Sequence, residues 1–334
     1  MDSTRRTVIP EDSLDANLFG QIRSRCAEVT RRAELVRIDE ENLQVFARSL
    51  ADESWPDENF DPARDFEGDD LETLAFVVSL DAINFGSGWF PLLRKRSGLS
   101  GYRTIAAACR ERFESEGAWS GEVLRQTTTE SMAELLGQSL DNREVGELMA
   151  LYARAWRDLG SWLAQEYDDC FESFVDCAGH SGEAMVRSLA KMPLYQDVSQ
   201  YGELSIPFYK RAQITVADLN HAFGASRFGR FDDLDRLTLF ADNLVPHVLR
   251  CAGILVYQPE LGDRIDAEEL LDVGSAQEVE IRAVAVEAVE RLVAALDRFG
   301  RPTTAHALDG LLWNAGQASS IKARPRHRAR TSYY

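Results

Sequence analysis

The 334-residue chain has no long hydrophobic run and little positive charge. No stretch approaches the roughly eighteen uncharged apolar residues of a bilayer-spanning helix, so we expect no membrane segment. The N-terminus is rich in aspartate and arginine and has no apolar core, so we expect no signal peptide. A net charge of -18 argues against a nucleic-acid polymer as partner, because a duplex binder needs a basic face.

Metal-binding and disulfide patterns are also missing. The five cysteines are odd in number and include no CxxC pair, which argues against a zinc site or a disulfide framework and fits a reducing cytoplasm. None of the histidines has a second ligand-type residue at a metal-binding spacing, so we expect no metal and interpret most of them as structural or exposed. They are His180, His221, His247, His306 and His327.

Common nucleotide-binding and hydrolase motifs do not occur, namely GxGxxG, GxxxxGK[ST], HExxH and GxSxG. Period-two runs of β-branched residues are nearly absent, whereas apolar residues recur at three- and four-residue steps. We therefore predict a mainly α protein, and without repeats or long linkers we predict one compact domain over residues 1–334, with an irregular segment at 1–15. Helices are predicted at 18–35, 40–51, 71–84, 102–114, 122–132, 142–177, 181–192, 208–223, 275–299 and 305–315.

One acid interrupts the apolar run LTLFADNLVP at residues 237–246. The spacing predicts a core-facing helix, and Pro246 removes the hydrogen bond to the carbonyl of Asp242 four residues earlier. A half-satisfied carboxylate at such a kink is a site candidate. The alternative is an acid on an exposed stripe, or one that caps a helix starting near Pro246.

Two other acids stand on otherwise apolar helix faces. Asp218 ends the run ITVAD, and Asp309 is four residues before Trp313, so these two share a face that Asn314 flanks. A carboxylate, an indole and an amide together could hold a flat polar ring. The alternative is that Trp313 is core and Asp309 lies near a helix cap.

Two further features of the sequence predict local structure, a pair of glycines and a basic segment. Gly86 and Gly88 lie between aromatic residues, which predicts a close backbone approach to either a neighbouring helix or a ligand. The last fourteen residues, 321–334, carry five basic residues and no acid. This basic segment predicts a local anion site of phosphate size, packed near the functional site, or else a solvated tail.

Five ordered runs resemble the queuosine salvage family, the queuosine 5′-phosphate N-glycosylase/hydrolase group. The resemblance spans roughly residues 75–334, and five separate motifs make it specific. The runs are LDAINF at 80–85 with Trp89 and Phe90 after it, YKRAQITVAD at 209–218, LTLFAD at 237–242, EVEIR at 278–282 and HRARTSYY at 327–334.

This resemblance implies an all-α fold related to helical DNA glycosylases and hydrolysis of queuosine 5′-monophosphate to queuine, without a metal or organic cofactor. It assigns the catalytic acid to Asp242 and the pocket phenylalanine to Phe240. The base-binding run of the family falls on Asp309, Trp313 and Asn314.

The chain departs from the family pattern at two kinds of position. Gly310 replaces a tyrosine of the base-binding run, and Asn314 replaces its second aspartate, which removes one aromatic contact and one charge. The family has a base-contacting histidine in the loop that corresponds to residues 55–62, and this chain has no histidine there. Glu58 or Asn59 could take its place.

The residues suit such a reaction. A carboxylate at Asp242 can stabilise the oxocarbenium ion or activate water, and the sequence does not separate these roles. The candidates for ribose and phosphate contacts are Lys210, Arg282, Asp218, Tyr334 and the basic segment, with Tyr333 beside them. The alternatives are a glycosylase for another nucleoside and a helical ligand-binding protein without catalysis.

Overall fold

The computed structural model describes residues 17–55, 61 and 65–334. The predicted irregular segment 1–15 and the loop candidates Glu58 and Asn59 lie outside the described residues. The described part is mainly α-helical with two small antiparallel ribbons, so the predicted fold class is confirmed. Within it, no helix combines the length and apolar character needed to cross a bilayer.

The first half of the chain contributes one strand and most of the short helices. Their bounds are α1 Leu18–Arg32, β1 Val36–Ile38, α2 Glu40–Asp52, α3 Asp70–Asp81, α4 Gly101–Glu116, α5 Gly121–Arg125, α6 Thr129–Leu135, α7 Arg143–Glu166, α8 Phe171–Cys177 and α9 Gly182–Leu189. The second half contains the central helix and the candidate site. Its elements are β2 Val198–Tyr201, β3 Leu204–Pro207, α10 Lys210–Phe223, α11 Val245–Cys251, β4 Leu255–Tyr257, α12 Pro259–Asp266, α13 Ala276–Arg298, α14 Ala305–Ala315 and α15 Ser319–Lys322.

Helix α13 is the centre of the core. Ser275 starts it, because its hydroxyl accepts a hydrogen bond from the backbone N–H of Glu278 at 3.3 Å. Most of its residues are buried on all sides, and it packs against α1, α2, α11 and α14. Because α13 is buried on most sides, its buried charged residues, Glu278, Glu280 and Arg282, must be paired with other polar groups.

Two ribbons hold distant parts of the chain together. Strand β1 pairs with β4 in antiparallel register, with Arg37 opposite Val256. Strands β2 and β3 form a hairpin in which Tyr201 lies opposite Leu204, and Gly202 takes a left-handed φ of 58° at the turn.

Helix positions were predicted better than helix lengths. The helix predicted at 40–51 is α2, which begins where Asp39 accepts a hydrogen bond from the N–H of Asn42 at 3.0 Å, and α14 has the predicted bounds. The predicted helix at 142–177 is wrong as one element, because Asp168 and Asp169 adopt left-handed backbone between α7 and α8. The predicted helix at 122–132 is likewise two helices, α5 and α6.

The predicted helix through residues 237–246 is also wrong. Residues 237–243 are irregular, and α11 begins only at Val245, with Pro246 in its first turn. Proline suits that position because its missing N–H has no helical partner there and its fixed φ matches the helix. The structure agrees with the alternative interpretation, in which Asp242 accepts hydrogen bonds at the start of a helix near Pro246.

The two glycines after α3 allow two close approaches: Gly88 approaches the basic segment, and Gly86 approaches helix α7, where an added Cβ would lie 2.6 Å from Cδ1 of Leu148. A Cβ on Gly88 would lie 2.3 Å from the carbonyl oxygen of Ala329. Gly86 has a φ of 96°, and its N–H donates to the carbonyl of Tyr334 at 3.0 Å. The 85–89 turn therefore fixes the 329–334 segment against the core.

Gly88→Ala is expected to destabilise the fold by about 1–3 kcal/mol, because the new methyl overlaps backbone that cannot move independently. The measurement is the free energy of unfolding in urea. Gly146→Ala is the matched control, since in α7 the nearest atom to its Cβ would be 3.9 Å away and alanine favours a helix. Equal effects of the two variants would show that the close approach to Ala329 is not a constraint.

Candidate active site

A cavity of about 1130 Å³ opens between α10, α11, α14 and the basic segment. This volume is ample for a nucleotide-sized ligand. Nine of the residues proposed from the sequence line it. They are Lys210, Asp218, Phe240, Asp242, Asp309, Gly310, Trp313, Asn314 and Tyr334.

Asp242 presents one carboxylate oxygen to the protein. Its Oδ1 accepts hydrogen bonds from the backbone N–H groups of Leu244 (2.7 Å) and Val245 (3.1 Å) at the start of α11. These donors and the helix N-terminus stabilise a negative charge there. Its Oδ2 has no hydrogen-bond partner among the described residues, so this oxygen is available to a bound molecule.

Asp309 lies on α14 and contacts the same segment from the other side. Its Oδ1 accepts from the N–H of Phe240 at 3.1 Å, and the residue is buried. Burial, and then the negative charge of Asp242, raise the pKa of Asp309 well above its ordinary value. This shift favours the protonated form of the Asp309 carboxyl group.

Lys210 lies at the acidic side of the cavity. Its Nζ donates to the carbonyl oxygen of Asn84 at 3.3 Å. Burial lowers the pKa of Lys210, while the charges of Asp242 and Asp309 raise it. The ammonium group thus offsets the carboxylates around it.

The backbone around Lys210 is tightly held. The preceding residue, Tyr209, has a left-handed φ of 46°, which is uncommon outside glycine. The N–H of Lys210 donates to Asp197 Oδ2 at 3.1 Å, which fixes the first turn of α10.

A second acidic pair lies beside the lysine. Asp218 lines the cavity, and Asp81 lies behind it, with only 1 % of its surface exposed. Burial, and then the charge of Asp218, raise the pKa of Asp81 well above its ordinary value. Asp218 and Asp81 therefore add two more carboxyl groups to this side of the cavity, beside those of Asp242 and Asp309.

The flat surface predicted on α14 is open to the cavity. Trp313 is half-buried and Asn314 is exposed, and Gly310 lies one turn earlier on the same wall. The guanidinium of Arg103 lies 5.7 Å from the centre of the Trp313 ring. An aromatic face with a neighbouring amide can stack and hydrogen-bond a planar base.

Arg282 does not line the cavity, so its placement does not suit the predicted role in phosphate binding. Its guanidinium is fully buried and donates to Asp197 at 2.6 Å, to Glu278 at 3.4 Å and to the carbonyl of Ala241 at 2.9 Å. The sequence could not exclude it, because an arginine that pairs with distant acids has the same local pattern as one that faces a ligand.

Tyr334 lines the cavity from the basic segment. Its ring lies 4.9 Å from the guanidinium of Arg282, and its carbonyl accepts from the N–H groups of Gly86 and Ser87. Burial raises the pKa of the Tyr334 hydroxyl well above its ordinary value. The structure places the neutral phenol against the cavity wall.

A sequence model of the queuosine salvage protein family matches residues 65–334. The chain belongs to the queuosine salvage protein family. The resemblance noted from the five sequence runs is therefore confirmed.

Several relatives that share one name align with most of this chain. A protein of Sphaerobacter thermophilus named queuosine 5′-phosphate N-glycosylase/hydrolase is 34% identical over 315 residues, which is 92% of this chain and 95% of the relative. A protein of Dictyostelium discoideum with the same name is 31% identical over 266 residues, 78% of each chain. One of Mus musculus, again with that name, is 27% identical over 327 residues, covering 92% of this chain and 96% of the relative.

In this member of the queuosine salvage family, sequence reasoning missed several cavity residues. His221, His247 and His306 all line the cavity, although no local pattern marked them. Two of them have partners far away in the chain: the Nε2 of His247 lies 3.0 Å from the carbonyl of Ile321, and the Nε2 of His221 lies 3.2 Å from Oδ2 of Asp65. Within the described residues, no group of three histidine, cysteine, aspartate or glutamate side chains is arranged to hold a metal ion.

Proposed function

We propose that the chain hydrolyses the N-glycosidic bond of queuosine 5′-monophosphate and releases queuine for salvage. The observation that carries the proposal is the Asp242 carboxylate, anchored through Oδ1 and open through Oδ2 in a nucleotide-sized cavity of a queuosine salvage family member. The names of its relatives support the same substrate.

Asp242 would act on the ribose and the water. Breaking the bond between C1′ and the base nitrogen builds positive charge on C1′ and the ring oxygen, and a fixed carboxylate beside them lowers the energy of that state. The water oxygen bonds to C1′, and Asp242 orients the water and takes its proton. Because Oδ1 is held by two backbone donors, Oδ2 serves both tasks without reorganisation.

The base leaves with the electron pair of the broken bond and takes up one proton. Queuine is a 7-deazaguanine, so it has no N7 to protonate, and its other edges must receive hydrogen bonds. Asp309, protonated because burial and Asp242 raise its pKa, donates one of them, and Asn314 offers an amide. Phe240 and Trp313 enclose the ring.

The test is direct. The purified protein is incubated with queuosine 5′-monophosphate in the presence of a chelator, and free queuine and ribose 5-phosphate are measured by mass spectrometry. Stoichiometric release of both supports hydrolysis without a metal. Binding of the nucleotide without release would instead favour the ligand-binding alternative, and release only from other nucleosides would favour a different glycosylase.

The five cysteines are all unpaired, two of them buried. Free thiols persist in reducing compartments. We propose a cytoplasmic location on this ground, where free nucleotides from tRNA turnover would be the source of substrate.

The rate of base release is expected to fall as pH rises through the raised pKa of Asp309, because the deprotonated carboxyl can no longer donate to the base. Asp309→Asn, which keeps an N–H donor at every pH, is expected to remove this decline while retaining activity within about tenfold of the wild type. The measurement is kcat against pH for both proteins.

Stability has to be followed in the same pH series. A carboxyl whose pKa is raised on folding favours the folded state most below its unfolded-state pKa, about 3.9. That contribution is lost as pH rises to the folded-state value. Rates are therefore compared only where circular dichroism shows both proteins folded, and a wild-type rate that increases over this range would contradict the donor role.

A further inference from the structure

The segment that carries Asp242 is irregular and is held by side chains of the helices around it. The N–H of Thr238 donates to the side-chain oxygen of Gln213 at 2.9 Å. The carbonyl of Ala241, next to Asp242, accepts from Nε of Arg282 at 2.9 Å. Gln213 belongs to α10 and Arg282 to α13. The position of Asp242 in the cavity therefore depends on where these two helices hold their side chains.

Arg282 is itself held in a fully buried position. Its Nη2 donates to Oδ2 of Asp197 at 2.6 Å, and its Nη1 donates to Glu278 at 3.4 Å. Its guanidinium also lies 4.0 Å from the centre of the Phe208 ring. The shorter of its two ion pairs, the one with Asp197, therefore does most to fix the direction in which Nε reaches Ala241.

Asp197 holds the start of α10 as well. Its backbone carbonyl accepts from the N–H groups of Phe208 (2.9 Å) and Tyr209 (3.2 Å). Its Oδ2 accepts from the N–H of Lys210 at 3.1 Å. These three successive donors surround the left-handed backbone of Tyr209, a conformation that persists where the surrounding contacts impose it. Asp197 therefore fixes the direction in which the chain enters α10 at Lys210.

One buried oxygen atom thus serves two walls of the cavity. Oδ2 of Asp197 accepts from the backbone of Lys210 on one side and from the side chain of Arg282 on the other. Lys210 and Asp242 both line the cavity. A displacement of about 1 Å at a reacting group can lower a rate about 100-fold, so the relative position of these two groups matters to the reaction.

We propose that Asp197 is a positioning residue, which fixes Asp242 through Arg282 and fixes Lys210 through its backbone. The inference rests on the proposed function and deepens it. Asp197 does not line the cavity, so it acts on a bound nucleotide only through these two groups. Its removal is therefore expected to change the rate of bond cleavage more than the affinity for the nucleotide.

The test compares two acids that pair with the same arginine. Asp197→Ala removes the shared oxygen, whereas Glu278→Ala, the matched control, removes the other ion pair of Arg282 and leaves the contact with Lys210 intact. Glu278 accepts from the N–H of Gly274 at 3.1 Å, outside the cavity. The control removes more side-chain atoms, so a general loss of packing would affect it at least as strongly. Urea midpoints verify that each variant is folded.

Asp197→Ala is expected to lower kcat for queuine release from queuosine 5′-monophosphate by about 30-fold, with KM changed less than about threefold. Glu278→Ala is expected to change both constants less than about threefold. Asp197→Asn, which keeps an acceptor oxygen where Oδ2 lies, is expected to restore kcat to within about fivefold of the wild type. If Asp197→Ala does not fold, Asp197→Asn is compared with Glu278→Gln instead.

A positioning role also predicts that the effect disappears when Asp242 no longer carries its charge. In the Asp242→Asn background, Asp197→Ala is expected to lower the residual rate by less than about threefold, because the two substitutions act on one interaction. The same loss of about 30-fold in both backgrounds would show a general structural role and would overturn the proposal.

A second readout is independent of catalysis. Hydrogen exchange followed by mass spectrometry is expected to become about tenfold faster at residues 207–212 and 238–246 in Asp197→Ala, and to stay unchanged at both in Glu278→Ala. If the wild type releases no base, the proposed reaction fails, and this comparison still decides whether Asp197 holds both segments. Equal exchange in the two variants, or faster exchange at 207–212 alone, would contradict that role.

Discussion

Asp242→Asn is expected to reduce the rate constant for queuine release by about 1000-fold while the protein still folds and binds the nucleotide. The amide oxygen of asparagine can accept the same N–H groups of Leu244 and Val245 that Oδ1 accepts, so the start of α11 is preserved. What is lost is the negative charge opposite the developing cation on the ribose. Single-turnover release of queuine gives the rate, and calorimetric titration gives the binding.

The control for this substitution is Asp39→Asn. Asp39 also accepts a backbone N–H at a helix start, from Asn42 in α2, but it does not line the cavity. Asparagine caps a helix about as well as aspartate, so we expect wild-type rates and stability. If Asp242→Asn releases queuine at a rate within tenfold of wild type, Asp242 is not the group that stabilises the transition state.

Arg282→Met is expected to lower the free energy of unfolding by about 3–5 kcal/mol. Burial opposes the charged form of this arginine, yet Asp197 and Glu278 hold its pKa above the usual range. Removing the cation leaves both carboxylates buried without their counter-ion. Urea denaturation gives the magnitude.

The same variant is expected to lose activity, because Arg282 also donates to the carbonyl of Ala241, next to Asp242. Its matched control is Arg291→Met on the same helix. Arg291 pairs with Glu40 and Glu287 at the surface, where solvent screens the interaction, so we expect less than about 1 kcal/mol. Similar losses of stability in the two variants would contradict the importance of the buried pairing.

Much of the candidate site could be predicted from local sequence. Asp309, Gly310, Trp313 and Asn314 share the wall of the cavity because helical spacing places them together. The position of Asp242 was identified for a reason that proved wrong, since the expected kinked helix is an irregular segment ahead of α11. The acid was still informative, because a carboxylate in an apolar run requires hydrogen-bond donors wherever the backbone goes.

Local sequence patterns could not predict contacts between residues that are far apart in the chain. Lys210 and Arg282 looked equivalent as candidate phosphate ligands, but one lies among cavity carboxylates and the other in a buried pair with Asp197 and Glu278. His221 and His247 were missed for the same reason, since their hydrogen-bond partners, Asp65 and Ile321, lie far away in the chain.

The sequence by itself determined the mainly α class, most helix positions, the acidic balance and the family, because these depend on residue spacing, composition and ordered motifs. Only the tertiary structure decided which charges face the cavity. In the basic segment, Arg324, Arg328 and Arg330 form ion pairs with acids far away in the chain, whereas Lys322 and Arg326 form none with any residue that the structure describes. Ion pairing acts over a few ångströms of space, and the fold alone sets which residues come within that distance.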